Sequence, residues 1–368
     1  MNEKIKYLKE KLRGLGIQGI IISNPVNVKY LTGINAEGVL LITRKENYYI
    51  TDARYIEEVQ STLTIDDGII VYNYTDVSEY DYENFFSFCE NVGFEEDYIT
   101  YATYKNYMQK YKANHLEETE KLIEKQRLIK DEKEIEFLKK ACEITDNCFS
   151  HIIQYIKIGM TEKQIASEIE KYFLEHEADG LAFDTIVASG PNSSKPHAKT
   201  TNRQIDVGDC ITMDFGCKYK GYCSDMTRTV FAGFVPEKAK SIYNLVLKNQ
   251  LQTEKDMKEG ANIKVLARNV ENDFKLNGYS LIHALGHGVG LDIHELPVIS
   301  SKNDNILKEN MVVTNEPGIY IPMEFGIRIE DTTLITKSGC INLTKSDKNY
   351  IIVDKAEQKA WFWHKQGV

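Results

Sequence analysis

Apolar positions in the first part of the chain alternate between helical and strand periods. Residues 3–15 (EKIKYLKEKLRGL) place Ile5, Leu8, Leu12 and Leu15 at helical spacing, and Gly16 and Gly19 bracket the stop. Ile20-Ile21-Ile22 then reads as a buried strand, and Asn24-Pro25 opens a short helix through Leu31. Residues 39–43 and 48–51 predict two strands separated by the polar turn at 44–47, and Asp52 is placed to cap a helix running to about Gln60. Elements in this order predict an α/β domain.

The charged stretch 115–140 holds the expected boundary. Asp131-Glu132-Lys133-Glu134 starts a helix whose inner face is Ile135, Leu138, Cys142, Thr145, Phe149 and Ile152. No Gly/Ser-rich linker marks the junction. The expected division is 1–128 for the N-terminal α/β domain and 129–355 for a second domain. A tail at 356–368 carries both tryptophans, Trp361 and Trp363, and reads as a docked terminal segment or a dimer contact. In the second domain Thr161 caps a helix over 162–176. Strands are expected over 183–188, 210–216, 222–232, 311–316 and 326–335, with helices near 236–258 and 262–277 between them. The fold class of the whole is therefore α+β.

Composition narrows the function classes. The 368 residues are 42% hydrophobic and 27% charged, ordinary for a globular chain with a sizeable core. The formal net charge of -10 disfavours a nonspecific phosphate-backbone binder, so no nucleic-acid partner is expected. No run approaches the roughly 18 apolar residues of a membrane span, and Ile20–Ile22 is too brief for a signal-peptide core. The expectation is a cytoplasmic protein without a membrane partner. Seven cysteines without C-x-x-C spacing read as reduced, mostly buried thiols; Cys217 and Cys223 flank the candidate site.

The chemistry lies in the acids of the second domain. Asp214 sits in the apolar run Ile211-Thr212-Met213-Asp214-Phe215, where an unpaired buried carboxylate would cost several kcal/mol. A hairpin turning near Tyr219-Lys220 would set Asp225 directly opposite it, and two facing carboxylates need a proton or a metal between them. Glu316 and Glu330 repeat the arrangement about a turn centred on Met323, and strand parity puts Arg328 on the face of Glu330, with Asp331 on the other. In Ile282-His283-Ala284-Leu285-Gly286-His287-Gly288-Val289-Gly290, alternate glycines disfavour helix and allow close backbone approach, and His283 and His287 point the same way if the segment is extended. His197 follows Pro196, and His294 precedes Glu295. Four carboxylates would balance two divalent cations, and oxygen ligands with an imidazole suit Mn²⁺, Co²⁺, Fe²⁺ or Zn²⁺. Two such ions can polarise a carbonyl and acidify water, a hydrolase design.

At these residues the sequence resembles the superfamily of aminopeptidase P, prolidase and methionine aminopeptidase. The segments that carry the resemblance are SGPNSSKPHA (189–198), MDFGCKYKGYCSDMTRT (213–229), HALGHGVGLDIHE (283–295), NEPGIYIP (315–322) and GIRIED (326–331). The N-terminal part also resembles the domain that precedes the catalytic domain in aminopeptidase P and prolidase, which simple methionine aminopeptidases usually lack. The resemblance implies a pseudo-symmetric "pita-bread" second domain. It implies Asp214, Asp225, His287, Glu316 and Glu330 as metal ligands, with Asp225 and Glu330 shared between two ions, most readily Mn²⁺. It further implies Glu316 as proton-handling carboxylate, and His197, His283, His294 and Arg328 at substrate-facing or supporting positions. All five ligand positions are kept, unlike in creatinase-like members. The implied activity is Xaa-Pro aminopeptidase on peptides with proline second, the alternative being the dipeptide-restricted prolidase. A non-catalytic peptide- or partner-binding protein on the same fold is a remote third reading. A homodimer is implied by the resemblance alone.

Overall fold

The computed structural model describes residues 2–63, 67–113 and 115–355; the expectation for the tail at 356–368 lies outside them. The chain divides into two compact units, one ending at Arg127 and the other beginning at Leu128.

In the first unit the Asn2 side chain accepts from the Lys4 N–H and caps the helix Glu3–Gly14, which buries Ile5, Leu8 and Leu12. Leu15, expected on the same stripe, lies past the helix end and is 51% exposed. A six-stranded mixed sheet follows in the order 69–73, 47–51, 39–43, 19–22, 92–94, 116–118. The strand Gly19–Ile22 is buried at every residue, as a central strand requires. The helix expected from Asp52 starts only at Ile56, because the Asp52 carboxylate accepts from the Arg54 N–H at 2.8 Å and holds a turn there.

The second unit repeats one plan twice. Helices Glu132–Tyr155 and Glu162–Glu175 precede strands Ile186–Ser189, Cys210–Phe215 and Met226–Ala232; helices Glu237–Asp256 and Ile263–Leu276 precede strands Gly286–Gly288, Val312–Asn315 and Asp331–Ile335. Asp131 and Thr161 each start their helix with a reciprocal capping box, to Glu134 and Gln164. Each half has its own apolar core. One is built on Phe149, Ile169, Phe173, Ile211 and Phe215, the other on Tyr243, Val270, Phe274, Ile299 and Val313.

The first half carries a four-stranded sheet in the order 352–353, 226–232, 210–215, 186–189, and the second a five-stranded sheet in the order 295–299, 286–288, 312–315, 331–335, 340–342. A separate hairpin pairs Gly318–Ile321 with Phe325–Arg328. Two strands expected to be continuous are interrupted: 222–232 breaks at Ser224-Asp225, and 326–335 breaks at Ile329-Glu330. At both breaks the chain passes from one sheet to another. No helix among the described residues is long and apolar enough to cross a membrane. Six of the seven thiols are buried and all are free.

Candidate metal centre

Asp225, Glu316 and Glu330 stand where the chain passes between strands of different sheets, and Asp214 lies within the strand Cys210–Phe215. Asp214 pairs with Thr227, and Tyr219 pairs with Tyr222 across a two-residue turn in which Lys220 and Gly221 both have positive φ, 52° and 85°. A turn of this kind follows the strand twist and settles the register. Asp225 is therefore not directly opposite Asp214, as the sequence suggested. It precedes Thr227 by two positions, a diagonal neighbour on the same face. Gly216 permits the crossing: a Cβ there would lie 1.9 Å from the Ser224 carbonyl oxygen.

The second acidic pair keeps its expected register. Asn315 opposite Asp331 and Gly318 opposite Arg328 set Glu316 across from Glu330, and the hairpin turns at Met323, φ 63°. His287 is central in the strand Gly286–Gly288, between 295–299 and 312–315. Its two flanking glycines let the backbones approach, since a Cβ on Gly286 or Gly288 would lie 2.1 Å from the Thr314 or Leu296 carbonyl oxygen.

These segments converge. Ligand-type atoms of Asp225, His287 and Glu330 all lie within 4.8 Å of one another. His287 Nε2 is 3.5 Å from Asp225 Oδ2 and 3.4 Å from Glu316 Oε1. His287 Nδ1 is 3.0 Å from the Gly288 carbonyl, so the proton belongs on Nδ1 and Nε2 keeps its lone pair toward the acids. Arg328 Nη2 donates to Asp214 Oδ2 at 2.7 Å, its Nε to Thr227 Oγ1 at 2.9 Å, and Thr227 Oγ1 donates to Glu330 Oε2 at 2.7 Å. Thr314 accepts from the His287 N–H and donates to Glu316 Oε1 at 3.2 Å.

The remaining expected residues surround this cluster. His283 Nδ1–H donates to the Ala284 carbonyl at 2.7 Å. Its Nε2 lies 3.0 Å from the Tyr320 hydroxyl, which itself accepts from Arg328 Nη1 at 2.6 Å. Both ring nitrogens of His283 are thus engaged. The His294 ring stands 4.4 Å, centroid to centroid, from that of His287. His197 is exposed and lies near enough to His283 and His294 to help lower both.

Electrostatically the cluster is an acid excess shut away from solvent. Burial, then the neighbouring charges of Glu330, Asp214 and Glu316, push Asp225 well above the usual carboxylate range. Burial, then Glu316 and Asp214, do the same to Glu330, and burial raises Glu316. Burial lowers His283, His287 and His294, favouring neutral imidazoles. Asp214 Oδ1 is buried and accepts no hydrogen bond from any described residue. Four carboxylates with one guanidinium among them, an orphaned carboxylate oxygen and an imidazole lone pair form a donor set that fits divalent cations.

Fold and cluster together point to a metallopeptidase. Residues 136–337 match metallopeptidase family M24 and residues 4–129 match the creatinase/prolidase N-terminal domain. The chain is 36% identical over 360 residues to a protein from Pyrococcus horikoshii named Xaa-Pro dipeptidase, covering 95% of this chain and 99% of that one. Its structure is similar to that of an Xaa-Pro dipeptidase from Bacillus anthracis, with TM-score 0.90, 37% identity and coverage of 95% and 99%. It is also similar to that of an X-Pro aminopeptidase from Thermotoga maritima, with TM-score 0.85, 32% identity and coverage of 94% and 100%. The chain belongs to metallopeptidase family M24, and its second unit has the pita-bread fold.

Thr227, Thr314 and Tyr320 went unremarked in the sequence. A usable signal existed for two of them. Thr227 lies two positions from Asp225, and Thr314 two from Glu316, the spacing of same-face strand neighbours. Tyr320 has no such mark, because its link to Arg328 depends on the hairpin.

Proposed function

We propose that the chain is a dinuclear metal-dependent peptidase that hydrolyses the bond between an N-terminal residue and proline, with Xaa-Pro dipeptides as its preferred substrates. The observation that carries the metal centre is Asp214 Oδ1, a buried carboxylate oxygen without a partner beside three further acids. Asp214, Asp225, His287, Glu316 and Glu330 would hold the ions. The oxygen-rich set with one imidazole suits Mn²⁺, and also Co²⁺, Fe²⁺ or Zn²⁺. The proline preference and the choice of dipeptides rest on the relatives' names. The sequence alone favoured the aminopeptidase, and the relatives named dipeptidase support the prolidase reading better.

The chemistry a bound divalent pair supplies is acidification of water and polarisation of the scissile carbonyl. The chain's own groups do the rest. Glu316, raised by burial, takes and returns a proton within the site. Arg328 holds Asp214 in place and, through Tyr320, fixes the His283 ring. His283 is thereby an orienting group, and the exposed His294 is the freer donor toward the substrate carbonyl. The exposed His197 would contact the residue after the cut and help protonate the leaving nitrogen. Proline offers no N–H there, and none of these roles requires one.

The test is a paired assay. The protein is loaded with Mn²⁺, its metal content measured, and Xaa-Pro dipeptides are compared with Xaa-Pro-Xaa tripeptides. Faster dipeptide hydrolysis is expected. Faster tripeptide hydrolysis restores the aminopeptidase reading, and inactivity on both with metal bound rejects the peptidase.

A further inference from the structure

Glu162 opens the helix Glu162–Glu175 and has no exposed surface. Its carboxylate accepts five hydrogen bonds, all from one segment. Oε1 takes the Ser189 N–H at 2.7 Å and the Ser189 hydroxyl at 2.8 Å. Oε2 takes the Asn192 amide at 2.9 Å, the Thr201 N–H at 2.9 Å and the Thr201 hydroxyl at 2.7 Å. A buried carboxylate is costly unless saturated in this way, and the helix N-terminus adds a favourable dipole. Arg203 reinforces the arrangement. Its Nη1 donates to the Ser189 hydroxyl at 2.7 Å, while the guanidinium pairs with Asp209.

Ser189 and Thr201 are the two ends of the loop that carries Pro196 and His197. Nearer its middle, Asn192 donates to the Lys199 carbonyl at 3.0 Å, and Ser193 accepts from the Gly326 N–H at 2.9 Å. The Pro196 carbonyl accepts from Arg328 Nη1 at 3.2 Å, so the loop touches the guanidinium that holds Asp214. His197 itself is exposed, so its position is set by the backbone beneath it.

We propose that Glu162 is a positioning residue for the reaction: by tying together both ends of the 189–201 loop it sets where His197 stands. The inference rests on the role given to His197 above. A glutamine has the same shape, but its NH₂ would face donors and accept from none of them. The loop would be released at one end, and a displacement of about 1 Å at His197 is worth on the order of 100-fold in rate.

The experiment uses the metal-loaded full chain and an Xaa-Pro dipeptide, with Glu162→Gln, His197→Ala and the double variant. Each single change should lower kcat/KM by roughly 10- to 100-fold. The double variant should be no worse than the weaker single by more than about twofold, since both act through one side chain. Independent losses that multiply in the double variant would overturn the proposal.

A second readout needs no metal and no substrate. Amide hydrogen exchange over 189–201 should speed up in the metal-free Glu162→Gln protein while the helix 132–155 keeps its protection. Unchanged exchange in the loop also overturns the proposal. If Glu162→Gln does not fold, Thr201→Val removes a single hydroxyl donor and should show the same pattern at about 2- to 10-fold in rate; full activity and unchanged exchange in that variant reject the clamp. A wild-type protein inactive on every Xaa-Pro peptide would sink the function proposed above, and the exchange measurement would still decide whether Glu162 holds the loop.

Discussion

Replacing Arg228 by methionine should destabilise the second unit more than any surface change in it. Arg228 is 1% exposed and uses every N–H it has. Nε donates to the Asp347 carbonyl at 3.2 Å, Nη1 to the Thr227 carbonyl at 3.0 Å and to the Glu330 carbonyl, and Nη2 to Asp331 Oδ1 at 2.6 Å and the Ser346 carbonyl at 2.7 Å. It thus pins from behind the backbone of Glu330 and of its partner Thr227. Breaking a buried ion pair by removing one side costs about 3–5 kcal/mol. Asp331 retains Lys348 at 2.8 Å, Gln250 at 2.8 Å and Thr344 at 2.9 Å, which places the loss at the lower end. With about 2–4 °C per kcal/mol for a domain of this size, ~3 kcal/mol lowers the melting temperature by roughly 6–12 °C. The assay is thermal unfolding of the metal-free protein followed by circular dichroism, with Arg228→Lys as companion. Lysine offers three donors for five acceptors and should fall between the two. A methionine variant that melts within about 2 °C of wild type would refute the reasoning, because measured losses of that size (about 1 kcal/mol) belong to exposed pairs.

Three further changes probe the centre. Glu316→Gln should keep the fold and lower kcat by roughly 10²- to 10⁴-fold, the contribution of a positioned proton carrier; full turnover would remove the role assigned to it. Gly286→Ala would put a Cβ 2.1 Å from the Thr314 carbonyl oxygen, and should cost about 1–3 kcal/mol or more as the strand carrying His287 shifts, visible as a lower unfolding midpoint in urea. In the metal-free protein Asp225 and Glu330 have pKa values raised above their unfolded values, so they bind protons more tightly when folded. Their contribution is present at pH below the unfolded carboxylate pKa and is lost as pH rises through the raised values. Metal-free stability should therefore fall with rising pH across that window, while saturating Mn²⁺ flattens the dependence; identical pH profiles with and without metal would contradict the acid cluster.

The local codes were written plainly in the chain. Apolar spacing marked the helices around Ile5 and Leu138, Asp131 and Thr161 marked the starts of two helices, and acids inside apolar runs pointed to the candidate centre. The Glu316–Glu330 register could be read as well, because their hairpin is symmetric about Met323. The Asp214–Asp225 register could not. It depends on Lys220 and Gly221 both adopting positive φ, a preference a lysine does not signal. Nor could the breaks at Asp225 and Glu330 be seen, since an apolar run looks continuous whether it stays in one sheet or crosses to the next.

What the sequence determined by itself was the kind of element each segment forms and the chemical types available to a site, because both follow from neighbours within a turn or a strand. The tertiary structure alone decided which acids share a face, that Arg328 takes Asp214, and that Glu162 closes a loop ending 39 residues away. Those outcomes require the burial of charge to be compensated by donors far along the chain, and only packing brings such donors within hydrogen-bond reach.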